Sequence, residues 1–557
     1  MPNRTKSQVL RKTTLDYLST LDPDNPADPA TIESELLAQV EQQFDLENSV
    51  KQKGRAWPIP QSLHNSQIAE IINYLYPVRR VICNGRDSDQ EGTLLAFYQR
   101  QGCNQGIYIS SEDEFRSLFR PYNYGLTRRD SDEIMNTLRL MAPVVSRCSD
   151  PDLIPVNNGI FDYKTKQLIP FSPELVFVAK SKVNYNAAAV NPIIYNPDDK
   201  TYWDVESWIA ELSDDPEIVK LIWEILGAII RPNVPWGKSA WLYSETGNNG
   251  KGTLCELMRS LVGAGSYASI AVADFSRDFM LEQLIRSNAI IVDENDVGTY
   301  IDAAANLKAV ITNDVIGINR KYKSPVNLQF RGFMVQCLNE FPRVKDKSDS
   351  FYRRQLFVPF TKCFTGRERK YIKSDYLHRQ EVLEYVMYKV LNMDYYSLSE
   401  PATCKAVLAE YKEYNDPVRA FFEEMADRFS WDFVPFEFAY DLYKAWLAEN
   451  SPSGSIQGRN TFIKDLVNIV STTSMDWKVD RNKTPVRPQG RMDWPEPLIA
   501  EYRLTKWLNP LYTGGDLGKR CLPMLKSSYR GLERVQPKGP PLGWNPGIAL
   551  TNSQTGL

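Results

Sequence analysis

Lys251 closes the run Ser244-Glu245-Thr246-Gly247-Asn248-Asn249-Gly250 and is followed by Gly252-Thr253. A glycine-rich loop ending in a lysine at a helix start has the chemistry of a phosphate cradle. Backbone N–H groups point at the phosphates, the helix dipole favours negative charge, and the ammonium reaches the outer phosphates. Thr246, Gly247, Asn248, Asn249, Gly250, Lys251, Gly252 and Thr253 are therefore the candidate nucleotide-binding residues. Two positions depart from the usual pattern. Glu245 stands where the first glycine is expected, and Gly252 replaces the hydroxyl residue that normally follows the lysine, so the hydroxyl moves to Thr253.

Three further stations suit the hydrolysis of a nucleoside triphosphate. Ala289-Ile290-Ile291-Val292 ends in Asp293-Glu294. Asp293 is the candidate Mg2+ ligand, directly or through water, with Thr253 as a possible second ligand, and Glu294 is the candidate polariser of the attacking water. Phe333-Met334-Val335-Gln336-Cys337-Leu338 ends at Asn339, a side chain suited to sensing the γ-phosphate. Arg353 and Arg354 come just before another apolar run, Gln355-Leu356-Phe357-Val358. An arginine there can neutralise transition-state charge on a neighbouring subunit's nucleotide.

The elements needed to position these groups are apolar strands, each ending in a polar residue. Ala240-Trp241-Leu242-Tyr243 precedes the loop, and the helical Leu254-Cys255-Glu256-Leu257-Met258 follows it.

In this order and spacing, the four stations resemble the superfamily 3 helicases, and more closely the phage, plasmid and poxvirus primase–helicase group. The resemblance covers roughly 151–480 and is most specific from Trp241 to Phe360. Ile154-Pro155-Val156-Asn157-Asn158-Gly159-Ile160-Phe161-Asp162 and Pro170-Phe171-Ser172-Pro173-Glu174 look like the region that precedes the ATPase in that group. Leu307-Lys308-Ala309-Val310-Ile311-Thr312-Asn313-Asp314 matches an additional motif, and Asn319 to Val326 looks like the DNA-gripping hairpin, with Lys321, Tyr322 and Lys323 as DNA contacts. The resemblance implies an AAA+-like P-loop core, a parallel sheet flanked by helices, within a multidomain α/β chain. It also implies ATP and Mg2+ as cofactors, a homo-hexameric ring, and 3′-to-5′ travel on single-stranded and forked DNA, with replication proteins of host or element as further partners. Locally, Gly-Lys-Gly-Thr is also similar to adenylate-kinase loops, but the chain has no lid-like small domain and far more sequence than a kinase needs.

The chain has 557 residues, enough for three or four domains, and its 43% hydrophobic and 24% charged residues are those of an ordinary folded protein. The expected division is an N-terminal α/β module (1–110), a pre-ATPase region with a helical collar (111–235), the ATPase (236–395), a winged-helix-like DNA-binding region (396–535) and a disordered tail (536–557). The collar would include Ile218, Leu221, Ile222, Ile225, Leu226 and Ile229, which share one helical face; the same spacing fits an ordinary core helix. The winged helix would place a helix starting near Arg459 in a DNA major groove.

A formal net charge of −3 leaves no global field for nucleic acid, so any DNA contact must be local. Residues 481–540 hold twelve Lys/Arg against five Asp/Glu, interleaved with Trp494, Tyr502, Trp507, Tyr512 and Tyr529. That mixture suits either a base-stacking surface or a solvated basic face. Eight scattered cysteines and two histidines, His64 and His378, argue against disulfide frameworks, zinc modules and histidine-dependent hydrolases. No long apolar run indicates membrane spanning, and a cytoplasmic location is expected. The acidic clusters Asp87-Ser88-Asp89 and Asp130-Ser131-Asp132-Glu133 sit in polar surroundings and read as solvated loops rather than a polymerising site. The rival readings are a DNA-stimulated loader ATPase and an origin-binding initiator whose nucleotide is structural.

Overall fold

The computed structural model describes residues 4–541 except 52–53, 85–91, 302–303, 322, 451–455, 474–475 and 480–483. The chain forms two compact units, Met1–Leu408 and Ala409–Leu557.

At the centre of the first unit is a five-stranded sheet. Its order is Tyr267–Ala268, Ala289–Val292, Phe333–Leu338, Ser239–Tyr243, Gln355–Pro359, and every neighbouring pair is parallel. Ala289–Val292 and Phe333–Leu338 are buried at every residue. Continuous apolar runs are what a sheet covered on both faces requires. Leu254, Leu257, Met258 and Leu261 of the helix Lys251–Val262 pack into the same core as Ala289, Ile291 and Val335. That core extends from Ile154 to Cys404 and takes in the helix Pro216–Ala228, whose residues Leu221 to Ala228 are all buried. Burial on all sides fits a core helix of the ATPase body. Among the described residues no helix is long and apolar enough to cross a membrane.

The N-terminal module has its own core, running from Val9 to Ala142. Its sheet has the order Tyr108–Ile109, Leu94–Tyr98, Val78–Ile82, Val144–Ser146. The module continues past the expected boundary at 110, because the amphipathic helices Glu112–Phe119 and Arg128–Met141 bury Phe115, Phe119, Ile134 and Leu138 in this core. Asp130 caps the second of these helices through Thr127, and Asp132 pairs with Arg116 at 2.6 Å. That acidic cluster therefore lies in the first turns of a helix rather than in the expected solvated loop, while Asp87 and Asp89 lie outside the described residues.

The second unit runs helix Pro417–Met425, strand Phe433–Pro435, helices Phe436–Asn450 and Arg459–Thr473, then strands Trp477–Lys478 and Gly531–Arg534. The Gly531–Arg534 strand lies antiparallel between the other two. The stretch between the last two strands folds back over the core. Trp494, Trp507, Tyr529 and Tyr502 are buried there with Phe438, Tyr443 and Phe462. Lys506 pairs with Glu437 and Asp441, Lys526 with Glu437, and Arg491 with Glu533. Rings committed to a core are not free to stack on bases, so the base-stacking alternative for 481–540 is corrected for these four aromatics. The expected tail also starts later than 536: the amides of Lys538 and Gly539 donate to Asp432 at 2.8 and 2.9 Å. Residues 542–557 lie outside the described residues.

Candidate nucleotide site and hairpin

The sheet order brings the predicted stations together. Strands ending in Tyr243, Val292 and Leu338 are parallel, so the loop after each emerges at the same edge, where α/β sheets bind ligands. The strand ending in Leu338 lies between the other two. Asn339 is thereby set between the glycine-rich loop and Asp293.

The loop folds onto itself through its asparagines. Asn248 has φ of +52° and Gly250 φ of +87°. A Cβ on Gly250 would lie 2.7 Å from Leu212 Cδ2, so both conformation and space call for glycine there. Buried Asn249 donates to Thr246 O, and its Oδ1 accepts from Lys251 N at 3.3 Å. Asn248 Nδ2 donates to Thr365 Oγ1 and Glu368 Oε1, both at 3.2 Å, and its carbonyl accepts from Phe364 N at 2.7 Å. The segment after the last strand thus folds over the loop.

Lys251 is 4% exposed. Its Nζ donates to Asn339 Oδ1 at 2.8 Å, Leu338 O at 2.9 Å and Ser244 O at 3.3 Å. Burial pushes its ammonium down to about 8. Asp293 sits across the cleft in a two-pronged pair with Arg259, whose NH2 lies 3.0 Å from Oδ1 and NH1 3.2 Å from Oδ2. The Arg259 hydrogen bonds hold the Asp293 carboxyl below its ordinary range, and the charge of Lys373 adds to the effect. Glu294 is exposed beside it. An ionised carboxylate, a neighbouring glutamate and the hydroxyl of Thr253 are oxygen donors of the kind Mg2+ takes alongside water and substrate phosphates. The donor set therefore fits that ion.

A cavity of about 550 Å³ opens beside the loop. Gly250, Thr253 and Glu256 form one wall; Trp208, Leu212, Phe364 and Ile372 give it an apolar end. Arg367, Lys370 and Lys373 line it as well.

Arg353 and Arg354 precede the strand Gln355–Pro359, at the sheet edge opposite the loop. Five residues of parallel strand put them roughly 16 Å from that edge. Arg354 folds back to donate to Ser350 O and to Ser350 Oγ at 2.7 Å, leaving its buried Nε without a partner. Arg353 is exposed.

The segment from Asn319 to Val326 lies in an antiparallel hairpin, Val315–Arg320 paired with Lys323–Gln329, with Lys321 at its turn. Tyr322 lies outside the described residues. Lys323 Nζ lies 2.9 Å from Glu112 Oε1, and Gln329 N donates to Cys83 O at 2.8 Å, so the hairpin rests against the N-terminal module.

Sequence reading missed the polar groups that hold the stations in place. Asn295 is buried; its Nδ2 donates to Gln336 Oε1 and Cys337 O, both at 3.0 Å, and its Oδ1 accepts from Val272 N at 3.0 Å. This pins the end of the Asp293 strand to the Asn339 strand. A glutamine inside an otherwise apolar strand was the available sign. Arg259 was also legible, since Lys251, Cys255 and Arg259 recur at i, i+4, i+8 on one helical stripe.

Three family descriptions match parts of the chain: "D5 N terminal like" over 111–227, a family of unknown function (DUF5906) over 242–354, and "Poxvirus D5 protein-like" over 413–494. No curated protein matches it. Among solved structures, the apo A form of the NrS-1 C terminal region is 14% identical, with a TM-score of 0.39, over 73% of this chain and 87% of that one. A JCV helicase with a bound phenoxyphenyl acetamide is 18% identical, with a TM-score of 0.25, over 38% of this chain and 59% of that one. At these TM-scores the structural likenesses carry no argument, and the weight rests on D5-type sequence on both sides of the P-loop core. D5-type sequence thus flanks the P-loop core, in agreement with the resemblance to the superfamily 3 helicase group of phage, plasmid and poxvirus primase–helicases.

Proposed function

We propose that the protein is an ATP-driven DNA helicase that acts as a homo-hexameric ring in the replication of a phage, plasmid or other mobile element. The observation that carries this reading is the 2.8 Å contact between Lys251 Nζ and Asn339 Oδ1, with Asp293 on the neighbouring strand at the same sheet edge. Lys251 and the loop amides bind the phosphate chain, Asn339 senses its end, and Glu294 orients the water. Bound Mg2+ supplies neutralisation of charge on the β- and γ-phosphates. Asp293 and Thr253 are the residues that hold it, and Arg259 keeps the Asp293 carboxylate oriented.

Arg353 and Arg354 stand too far from their own loop to serve it, which supports a role across a subunit boundary. The resemblance favours Arg354, nearest the next strand, as the finger, but its contacts with Ser350 and the exposure of Arg353 support Arg353 instead. Lys321 and Tyr322 grip one DNA strand, joined by Lys323 once it leaves its 2.9 Å pair with Glu112, and travel is 3′ to 5′. In the second unit, the helix–strand–helix–helix–strand order, with a three-stranded sheet completed by a strand that follows the short helices Leu498–Glu501 and Leu517–Arg520, supports a winged helix. Its helix Arg459–Thr473 exposes Arg459, Asn460, Lys464 and Asn468. That polar face also favours a second reading, an origin-binding initiator whose nucleotide is structural.

Strand displacement on a forked duplex separates them. The helicase reading expects unwinding by the wild type, loss of unwinding and ATPase in Lys251→Ala and Glu294→Gln, and loss of unwinding alone in Lys321→Ala. A wild type that binds duplex and displaces no strand, with Glu294→Gln binding duplex equally well, overturns it in favour of the initiator.

A further inference from the structure

The absence of a hydroxyl at 252 coincides with a cation arriving from another part of the chain. The helix Lys370–Ser374 comes after the last strand of the sheet and packs against the helix that begins at Lys251. It is fastened on three sides: Ile372 is buried in the ATPase core, Tyr371 OH donates to Asp199 Oδ2 at 2.5 Å, and Arg369 pairs with Glu211. Its free face carries Lys373 into the cavity shared by Gly250 and Thr253. Lys373 Nζ stands 3.8 Å from the point that a Cβ on Gly252 would occupy. Its charge is felt at Asp293, on the far side of the same cleft. Of the other cations nearby, Arg259 is engaged by Asp293, Arg369 by Glu211 and Lys362 by Asp214, while Arg367 and Lys370 line the same cavity without the approach to Gly252 that Lys373 makes. Lys373 has no ion pair among the described residues.

We infer that Lys373 is a second phosphate-binding cation of the same subunit, contacting the nucleotide's phosphate chain on the side where Gly252 provides no hydroxyl. This rests on the reading of the loop as an ATP site. Two ammonium groups then flank the chain, Lys251 from within the sheet edge and Lys373 from the solvent side. An unpaired cation fixed in a cavity beside an anion cradle gains charge-assisted hydrogen bonds when the anion arrives, without giving up a carboxylate partner. The apolar end of the cavity, at Leu212, Phe364 and Ile372, receives the base, and Lys373 acts on the phosphates alone.

Binding of ATP, ADP and adenosine is measured by calorimetry on the full chain as wild type, Lys251→Ala, Lys373→Ala and Lys373→Arg. Lys373→Ala is expected to weaken ATP and ADP about tenfold and leave adenosine within twofold, and Lys373→Arg to restore most of the loss. Because Lys373 is exposed, melting without nucleotide should be unchanged. If the wild type binds ATP tightly and Lys373→Ala binds it within twofold of wild type, or if Lys373→Ala weakens adenosine as much as ATP, the inference is overturned. If the wild type binds ATP no better than adenosine, the ATP reading itself fails, and this inference with it.

Discussion

From Ser244 to Lys251 the polar groups turn toward one another, whereas between 484 and 540 the aromatic groups turn inward and the cations face carboxylates. In the first region Asn249 braces the loop, Asn248 ties it to Thr365 and Glu368, and Lys251 lies buried against Asn339. In the second, Trp494 and Trp507 complete a core and Lys506 bridges Glu437 and Asp441. Both stretches draw the eye by composition, but only the first is specified by order. A loop between an apolar strand and a helix has one geometry, and two more strands of the same kind bring their polar ends to the same edge. A mixture of lysines and tryptophans has no such constraint. It serves a binding surface or an ordinary core with solvated charges equally well.

The strongest test of the contrast is Lys251→Ala. On the proposed reading it lowers ATP hydrolysis by about a hundredfold or more, since it removes a desolvated cation aimed at developing negative charge. The wild type should also show a pH signature. Burial brings the ammonium from its ordinary 10.5 to about 8, so above pH 8 the free protein loses the proton that a bound phosphate chain would retain. ATP affinity should therefore fall as pH rises from 8 to 9.5, and calorimetry on Lys251→Met should show no such fall. The same shift has the opposite sign for the apoprotein's stability. Between 8 and 10.5 the unfolded chain binds more protons than the folded one, so this group adds stability as pH rises through that window. An affinity that is flat with pH in the wild type would separate Lys251 from the phosphates.

Trp494→Ala probes the other side. Trp494 is 3% exposed, its Nε1 donates to Ser430 O at 2.8 Å, and its carbonyl accepts from Trp431 Nε1 at 2.7 Å. Removing it should cost about 3–5 kcal/mol, read as an early transition in urea unfolding of the full chain. A base-stacking tryptophan would instead leave unfolding unchanged and weaken binding of single-stranded DNA.

How much of this was legible in the sequence depends on the distance over which each feature is determined. The stations at Lys251, Asp293 and Asn339 were readable because each is a short strand followed by its own terminal residue. The hairpin at 315–329 was readable for the same reason, although its ion pair with Glu112 was not, being about two hundred residues away in sequence. The module's extension past 110 was hidden because an amphipathic helix does not say which core its apolar face will find. Asn295 falls between these cases. It lies two residues beyond Asp293, yet its three partners come from Val272, Gln336 and Cys337. Asn295→Ala should cost about 2–3 kcal/mol by leaving buried groups unpaired and should lower ATPase activity, because the end of the Asp293 strand loses its anchor. Melting unchanged from the wild type would show that the anchor lies elsewhere.

The smallest expected effect is the sharpest discriminator for residues 481–540. Lys506 is the most heavily paired cation of that stretch, lying 3.2 Å from Glu437 and 3.1 Å from Asp441 with its side chain 62% exposed. Exposed pairs of this kind contribute less than about 1 kcal/mol, so Lys506→Ala should leave melting nearly unchanged. Its effect on DNA should be equally slight, because a lysine held between two carboxylates must leave them before it can neutralise a phosphate. The measurement is the salt dependence of binding to single-stranded DNA. Each lysine that contacts a phosphate contributes roughly one unit to the log–log slope. A slope unchanged in Lys506→Ala and reduced by about one in Lys321→Ala would place the DNA grip on the hairpin and leave the C-terminal stretch as fold. A drop of about one in Lys506→Ala would reverse that assignment and restore composition as a guide to binding there.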